Sequence, residues 1–299
     1  MDIRLIPITD HLSLVQGRKN GRFPESHTFL IQDKTSALID TGCGIDLLRS
    51  IRDTYPIDIV INSHAHMDHC AGNWIFDDRP LYAPVQGAES HGRLFELSHR
   101  FFESDSLADL WRSWVGKKMG FRDRVPSNFF DEGYVFDFGD LKLRTVHTPG
   151  HSADHYCLFE PEERILLSFD IDLTPFGPWF GNPESDLGAL RNSFEIVRGL
   201  RPKLMATSHS DVLWNYTDKA LDAYISILDS REKGLLKLLK GGATRKELVD
   251  AAPIYGHYPA VPELLRYFEG RMIDLQLEEM ASRSLIEKRG ETLFPTRPN

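Results

Sequence analysis

The stretch Asn62-Ser63-His64-Ala65-His66-Met67-Asp68-His69-Cys70 determines how the rest of the chain is interpreted. It places four potential metal ligands within six residues: His64, His66, Asp68 and His69. The preceding run 57–61 is rich in β-branched residues, which is typical of a buried strand. Imidazole and carboxylate groups suit zinc, iron and similar divalent ions. Four of them exceed what one tetrahedral ion with an open position needs. The loop is therefore predicted to divide its ligands between two ions.

Three later segments repeat the arrangement of a strand that ends in a metal ligand. His151 follows a Pro-Gly turn at 149–150, which presets the backbone before it. Asp170 follows the apolar run 166–169, and His209 follows the apolar run 205–207. Because each ligand lies at the exit of a strand, these residues are expected to meet along one edge of a sheet. They would complete the two ligand sets that the first loop begins.

These residues resemble the metallo-β-lactamase fold hydrolases, most closely the glyoxalase II-like branch, over most of residues 10–215. The H-x-H-x-D-H motif of the family falls on residues 64–69, and its Asp-Thr-Gly segment falls on 40–42. Its other ligand positions fall on His151, Asp170 and His209. The resemblance implies an αββα sandwich of the α/β class, with a dinuclear metal site at its edge.

The resemblance also implies a role for each ligand. The first ion would be held by His64, His66 and His151. The second ion would be held by Asp68, His69 and His209. Asp170 would bridge both ions. Asp40 would support residues 64–69, the metal loop, from behind. The residues expected to act most directly in catalysis are Asp68, Asp170 and His209. Two divalent ions so placed can share a hydroxide and polarise a carbonyl or phosphoryl oxygen. Zinc is the favoured metal, with iron or manganese as alternatives.

The sequence departs from the family pattern beside two of the ligands. The family usually has glycine just before the bridging aspartate and beside the last histidine, where this chain has Phe169, Ser208 and Ser210. Asp172 lies on the same side of an extended strand as Asp170, so it competes for the bridging role, and Asp170 is preferred. Because both ligand sets are retained, the pattern argues against the mononuclear-iron persulfide dioxygenase branch.

Several further residues are candidates for the surroundings of the metals. His151-Ser152-Ala153-Asp154-His155 resembles a pattern found in members with a winged-helix-like tail, and His155 is either an outer-shell group or a strand residue bonded to backbone. Phe176, Trp179 and Phe180 are expected either to form an apolar wall near the metals or to pack in the core. Cys70 is predicted to be an inert neighbour. Four other histidines are predicted not to be ligands: His91, His99, His147 and His257.

Two segments interrupt the alternation of strands and helices. Residues 86–125 carry apolar side chains at helical spacing and predict an inserted helical pair, which either packs as a hairpin or acts as a lid. Residues 217–299 predict three helices and a β-hairpin around Gly290, a winged-helix arrangement. The catalytic domain is therefore expected over 1–216, and the extension over 217–299 caps the site or pairs two subunits as a homodimer.

Composition limits the partners and the compartment. The net charge of −9 argues against a nucleic-acid partner, because phosphate binding needs a basic face. No run approaches the roughly 20 apolar residues of a membrane span, and no export signal is visible. The three cysteines are scattered and odd in number, which favours a reducing, cytoplasmic setting.

The function expected from these observations is hydrolysis of a thioester or other acyl ester of a small, anionic organic molecule. The aromatic segment and the helical insertion favour an acyl group of some size. The alternative is a nuclease or phosphodiesterase that grips RNA with its winged-helix-like tail. A third hypothesis is a binding protein whose metal site does little chemistry.

Overall fold

The computed structural model describes residues 2–296. Two β-sheets stack face to face, and helices cover the outer face of each. This is the αββα sandwich of the α/β class that the sequence predicts. Among the described residues, no helix combines the length and the apolar character needed to cross a membrane.

The first sheet has strands in sequential order, antiparallel from β1 to β4 and parallel from β4 to β7. Its strands are β1 (Leu5–Pro7), β2 (Leu12–Val15), β3 (Thr28–Ile31), β4 (Ala37–Ile39), β5 (Ile59–Ile61), β6 (Leu81–Pro84) and β7 (Asn128–Phe130). The helical segments between them are α1 (Arg18–Gly21), α2 (Ile45–Thr54), α3 (Met67–Cys70), a 3₁₀ turn (Asn73–Phe76), α4 (Leu94–Phe101) and α5 (Asp105–Met119). The outer face of this sheet packs against α2.

The second sheet has the order β12-β11-β10-β9-β8 and is antiparallel except for the β11–β12 pair. Its strands are β8 (Val135–Asp137), β9 (Lys142–His147), β10 (Tyr156–Glu160), β11 (Ile165–Phe169) and β12 (Leu204–Thr207), with α6 (Leu187–Leu200) before the last strand. Alternate side chains point to opposite faces. Leu158, Leu167 and Ala206 therefore pack between the sheets, whereas Leu166 and Met205 pack under the outer helices.

The C-terminal extension contains α7 (Asp218–Leu238), a 3₁₀ turn (Leu239–Gly241), β13 (Ala243–Thr244), α8 (Arg245–Ala251), α9 (Pro262–Ser282), β14 (Ile286–Arg289) and β15 (Thr292–Pro295). Its strands pair in the order β13-β15-β14. Helix α8 begins at a capping box between Thr244 and Glu247, and α9 begins with a proline in its first turn. The predicted helices and hairpin are therefore present. The division into domains at residue 216 stays a prediction.

The extension packs closely against the sandwich and the insertion. In α9, Leu264 joins an apolar cluster with Phe102 and Trp111 of the insertion. At the other end of the helix, Arg191 of α6 forms an ion pair with Glu279 at 2.7 Å. Helix α9 thus bridges the insertion and the outer layer of the second sheet.

Four strands were not predicted from the sequence: β1, β6, β7 and β13. They are only two to four residues long, and β6 ends in proline, so alternation and β-propensity give little signal. The insertion also begins later than predicted. Residues 86–93 form turns with Gly87 and Gly92 at positive φ, and the first helix starts at Leu94.

Candidate metal centre

Seven side chains of the predicted ligand set converge in two groups that share one residue. His64, His66, His151 and Asp170 form the first group, and Asp68, His69, Asp170 and His209 form the second. Within each group, the potential ligand atoms all lie within 4.8 Å of one another. Asp170 belongs to both groups, which is the position that a bridging ligand would need.

Each group is assembled from both sheets. The stretch 64–69 follows β5 of the first sheet and continues into α3. His151 follows β9, Asp170 follows β11 and His209 follows β12, all in the second sheet. The sequence pattern of ligands at strand exits therefore has a structural cause: these exits meet at one edge of the sandwich.

Within the described part of the chain, three buried polar atoms of the centre have no hydrogen-bond partner: His64 Nε2, His69 Nε2 and Asp170 Oδ1. His69 Nε2 lies 2.9 Å from Asp170 Oδ1, yet neither atom forms a hydrogen bond. Buried polar atoms in proteins are normally bonded. Atoms that approach closely without bonding, and that point at a common space, fit a cation placed between them. Nitrogen and oxygen donors of this kind suit zinc, iron or manganese.

In four of the five histidines of the two groups, a fixed partner holds the ring nitrogen Nδ1. His69 Nδ1 lies 2.7 Å from Asp40 Oδ2, and His64 Nδ1 lies 3.0 Å from Ser63 Oγ. His151 Nδ1 donates to the backbone carbonyl of Trp179 at 2.9 Å, and His209 Nδ1 donates to that of Gly21 at 2.6 Å. Such partners fix the tautomer and the orientation of metal-binding imidazoles.

Asp40 supports one ring of each group. It is fully buried, and its Oδ1 accepts the backbone N–H of Ser63 at 2.8 Å. Its Oδ2 accepts the Ser63 hydroxyl at 2.8 Å and faces His69 Nδ1. Since Ser63 Oγ also contacts His64, a single carboxylate orients His69 directly and His64 through a hydroxyl. These contacts fit the supporting role that the resemblance implies for Asp40, and the role itself stays a prediction.

The partner of His66 was not predicted from the sequence. Its Nδ1 lies 2.7 Å from His151 Nε2, inside the first group, and its Nε2 contacts the side-chain amide of the buried residue Asn182. If Nδ1 binds a metal, Nε2 carries the hydrogen and donates to the amide oxygen, the amide being oriented by its neighbours. Asn182 lies 116 positions from His66, so no local pattern could have identified it.

The electrostatics of the centre depend on which histidines face carboxylates. Burial lowers the pKa of His66 to about 3 and holds that of His64 well below its usual value. Burial acts in the same direction on His69 and His209, but Asp170 outweighs it and raises both pKa values well above normal. Burial would raise the pKa of Asp170, but the surrounding histidines, His69 first, hold it well below its usual value. Divalent ions would take the place of the protons on these histidines.

Phe169, the departure before Asp170, occupies a backbone conformation that favours glycine. Its φ is 48°, and the register of β11 against β12 shifts at this point. A left-handed conformation is costly for a bulky residue. The ring is fully buried and packs edge-on against Phe29, with centroids 5.7 Å apart. The chain therefore keeps the turn that directs Asp170 into the centre and fills the space with a phenyl ring.

Asp172, the predicted competitor of Asp170, belongs to neither ligand group. Its Oδ1 accepts the backbone N–H of Thr174 at 3.0 Å and contacts the Thr174 hydroxyl at 3.1 Å. Burial raises its pKa. These contacts direct the carboxylate into its own turn, which favours Asp170 as the shared residue.

His155 lies behind Asp170 and contacts backbone atoms through both ring nitrogens. Its Nδ1 donates to the Thr148 carbonyl at 3.0 Å, and its Nε2 accepts the backbone N–H of Asp170 at 3.3 Å. Burial, followed by the charge of His151, lowers the pKa of His155 to about 3. The neutral ring therefore bonds to backbone and at the same time fixes the position of Asp170.

A buried ion network connects the insertion to the metal loop. Asp154 Oδ2 accepts the backbone N–H of Ala65, between two ligands, at 3.0 Å. Arg100 of α4 pairs with Asp154 at 2.9 Å and with Glu184 at 2.6 Å. Burial would raise the pKa of Asp154, but Arg100 lowers it. Helix α4 is thereby tied to the loop, which favours a fixed cover over a mobile lid.

The three predicted aromatic residues take different positions. The partly buried ring of Trp179 lies 5.6 Å from that of His66 and 5.5 Å from that of His151, centroid to centroid. Phe176 is 37% exposed and lies against Arg231 and Tyr255. Phe180 is fully buried among the residues between the second sheet and its covering helices, which agrees with the core-packing alternative rather than with a wall facing the substrate. The alternation of inward and outward positions on this irregular loop could not be read from sequence.

The other predicted non-ligands lie outside both groups. The groups omit His91, His99, His147 and His257. His91 is buried, and its Nε2 contacts Asn62 Oδ1 at 3.0 Å. The thiol of Cys70 donates to the carbonyls of Ala65 and His66, and burial raises its pKa well above normal. Cys70 therefore braces the metal loop as a protonated thiol.

Comparisons with known proteins agree with this fold. A family model described as the metallo-beta-lactamase superfamily matches residues 21–209. A metallo-beta-lactamase family protein from Thermus thermophilus has a similar structure, with a TM-score of 0.74, 19% identity, and coverage of 97% of this chain and 100% of that one. At 19% identity, this similarity shows that the two proteins share a fold.

Two curated relatives are similar in sequence. An acyl-coenzyme A thioesterase, MBLAC2 of Bos taurus, is 27% identical over 149 residues, covering 45% of this chain and 53% of the relative. The chain thus spans about half the length of that thioesterase. A lactamase-like protein, nscB of Arthroderma gypseum, is 27% identical over 282 residues, covering 85% of this chain and 78% of the relative. The expected glyoxalase II-like branch stays a prediction.

Proposed function

The chain belongs to the metallo-beta-lactamase superfamily of metal-dependent hydrolases, and on that premise we propose that it hydrolyses thioesters or related acyl esters of small, anionic organic molecules. The observation that carries the proposal is the combination of two ligand groups sharing Asp170 with the indole of Trp179 beside them. The centre supplies the hydrolytic chemistry, and the indole supplies apolar surface where an acyl group would lie.

We propose that the ligand groups act as the sequence predicts. His64, His66 and His151 hold one ion, and Asp68, His69 and His209 hold the other, with Asp170 common to both. Divalent ions held there would supply water activation and polarisation of a carbonyl oxygen. Zinc is our first choice, with iron and manganese as alternatives.

The hydrogen bonds of the centre favour thioesters among acyl substrates. The five histidines of the two groups direct one ring nitrogen into the centre, and a fixed partner holds the other. None of the five is therefore free to protonate a leaving group. A thiolate leaves without prior protonation more readily than an amine or an alkoxide, since a thiol has a pKa of about 8.5. A site organised in this way is best matched to a thiol leaving group.

The thioesterase name of the bovine relative supports the same substrate class. The nuclease alternative, in which the extension would bind RNA, is placed second, because helix α9 of the extension already packs against the sandwich and the insertion. We propose residues 1–216 as the catalytic unit and residues 217–299 as an extension that completes it. A cytoplasmic location and a homodimer remain predictions.

The test is a substrate panel with metal-loaded protein. Acyl-coenzyme A and glutathione thioesters, oxygen esters, phosphodiesters, single-stranded RNA and a β-lactam are compared at equal enzyme concentration. We expect the highest kcat/KM on thioesters, and a loss of activity in Asp170→Asn, which removes the shared carboxylate. Preferential cleavage of RNA or another phosphodiester would replace this proposal with the nuclease. Full metal loading with no turnover of any substrate would favour the binding-protein hypothesis.

A further inference from the structure

We propose that the C-terminal extension forms one wall of the acyl-binding subsite, through Phe268 and the indole of Trp179, and that this wall selects large apolar acyl groups over acetyl. The inference rests on the proposed hydrolysis of acyl esters and names the part of the substrate that this region recognises.

Trp179 connects the metal centre to the extension. Its backbone carbonyl accepts the Nδ1–H of His151 at 2.9 Å, which fixes the residue beside the first ligand group. Its ring centroid lies within 5.6 Å of that of His66 and 5.5 Å of that of His151. The indole is only partly buried. A carbonyl group at the centre would therefore place its acyl substituent within reach of the indole.

Residues of the extension hold the indole in place. Trp179 Nε1 donates to Tyr255 Oη at 2.7 Å, and the ring packs edge-to-face on Phe268 of α9, with centroids 5.4 Å apart. The carboxylate of Glu269, also in α9, accepts the backbone N–H groups of Ile254 at 2.8 Å and Tyr255 at 2.9 Å. Since Glu269 is fully buried, this contact gives the Tyr255 segment a rigid base.

The loop that carries the indole is fixed from α7 as well. Arg231 donates to the carbonyls of Pro178 and Phe176, each at 2.6 Å. Gly181 supplies the space: a Cβ there would lie 2.8 Å from the Trp179 ring and 3.1 Å from Phe268 Cβ. The close approach of Trp179 to Phe268 thus requires glycine at this position.

Two fully buried rings of the insertion pack behind this apolar surface. Phe101 of α4 lies 5.4 Å from the ring of His66, and Phe102 lies 5.5 Å from that of Phe268. Phe268 itself is partly buried, so its free surface adds to that of Trp179. Aromatic faces stabilise an aliphatic or aromatic acyl group in proportion to the area buried. An acetyl group is too small to gain from this contact.

The experiment measures kcat/KM for a series of acyl-coenzyme A substrates, from acetyl to lauroyl and including benzoyl. Phe268→Ala is expected to lower the value for lauroyl and benzoyl by about tenfold and to leave acetyl within about twofold. Tyr255→Phe, which removes only the acceptor of the indole N–H, is expected to act in the same direction to a smaller extent. Glu278→Ala, an exposed position on the same helix, serves as the matched control with an unchanged profile. Metal content and Tm confirm that each variant is folded.

A uniform loss across the series, or an unchanged profile in Phe268→Ala, would overturn the subsite. Should the wild-type protein hydrolyse no thioester, the proposed function fails, and the subsite is tested by binding alone. Laurate and acetate are titrated while the fluorescence difference between wild type and Trp179→Phe is recorded. A saturable change with laurate but not with acetate supports the wall, and equal responses refute it.

Discussion

Replacement of Asp40 by asparagine tests how one buried carboxylate supports both ligand groups. Asparagine is close to aspartate in size and tolerates the φ of 60° at this position, so the backbone is expected to stay in place. The variant loses the charged contact with His69 Nδ1 at 2.7 Å and weakens the contact with the Ser63 hydroxyl at 2.8 Å. His69 therefore loses its direct support, and His64 loses support only through Ser63.

The magnitude follows from these contacts. Loss of an outer partner of a metal-binding histidine typically weakens metal affinity by about 10–100-fold. We expect a loss in this range at the Asp68–His69–His209 group, equivalent to about 1.4–2.8 kcal/mol. At the His64 group, where the hydroxyl of Ser63 remains, the loss should be less than about tenfold. The two ions should thus come off in two distinct steps.

Competition with a chromophoric chelator measures both affinities, and elemental analysis gives the number of ions retained. Ser63→Ala is the matched control, because it removes the hydroxyl beside His64 and leaves the contact between Asp40 and His69. It is expected to weaken the first ion and spare the second. If each variant lost affinity equally for the two ions, or if Asp40→Asn kept wild-type affinities, the assigned roles would be refuted.

Three further predictions follow from the centre and its surroundings. Metal affinity should fall as the pH is lowered from 8 to 6, because His69 and His209, whose pKa values are raised, must release protons before they bind metal. Chelator competition at several pH values measures the affinity. An affinity that does not change with pH would contradict this prediction. Phe169→Ala should lower the free energy of unfolding by about 3–5 kcal/mol, and Phe169→Gly should lower it by about 1 kcal/mol less, because glycine relieves the positive φ. Urea unfolding measures both variants. If the alanine variant is the more stable of the two, the backbone at this position is not strained. Arg100→Met should lower the free energy of unfolding by about 3–5 kcal/mol, because it leaves Asp154 buried and unpaired. The double variant Arg100→Met with Asp154→Asn should recover part of that loss. A double variant no more stable than Arg100→Met alone would contradict the role of this ion pair.

The convergence of the seven candidate ligands could be predicted, because their chemistry and their order along the chain carry the information. A dense loop of histidines and aspartates after a β-branched run has few other uses, and later strands ending in His or Asp complete it. The orienting partners lack such a signal. Asn182 is an ordinary amide in sequence, and the partner of His209 is a backbone carbonyl 188 positions away. Contacts of this kind exist only after both sheets have been stacked.

The aromatic residues show a second limit. Composition indicates that Phe176, Trp179 and Phe180 lie on an apolar loop, but not which ring faces the centre. That choice depends on Tyr255, Arg231 and Phe268 in the extension, which hold the loop from outside. The helices and the hairpin of the extension were predictable from periodicity, whereas their contact with the site was not.

The construction of each ligand group from both sheets has a consequence for how the protein is made. Neither half of the sandwich holds a complete set: residues 64–69 come from one sheet, and His151, Asp170 and His209 come from the other. On the proposed ligand assignment, a newly synthesised chain would retain metal only after its two halves have docked in the correct register. Metal capture would then be the closing step of assembly, and bound metal would mark the chains that have completed it.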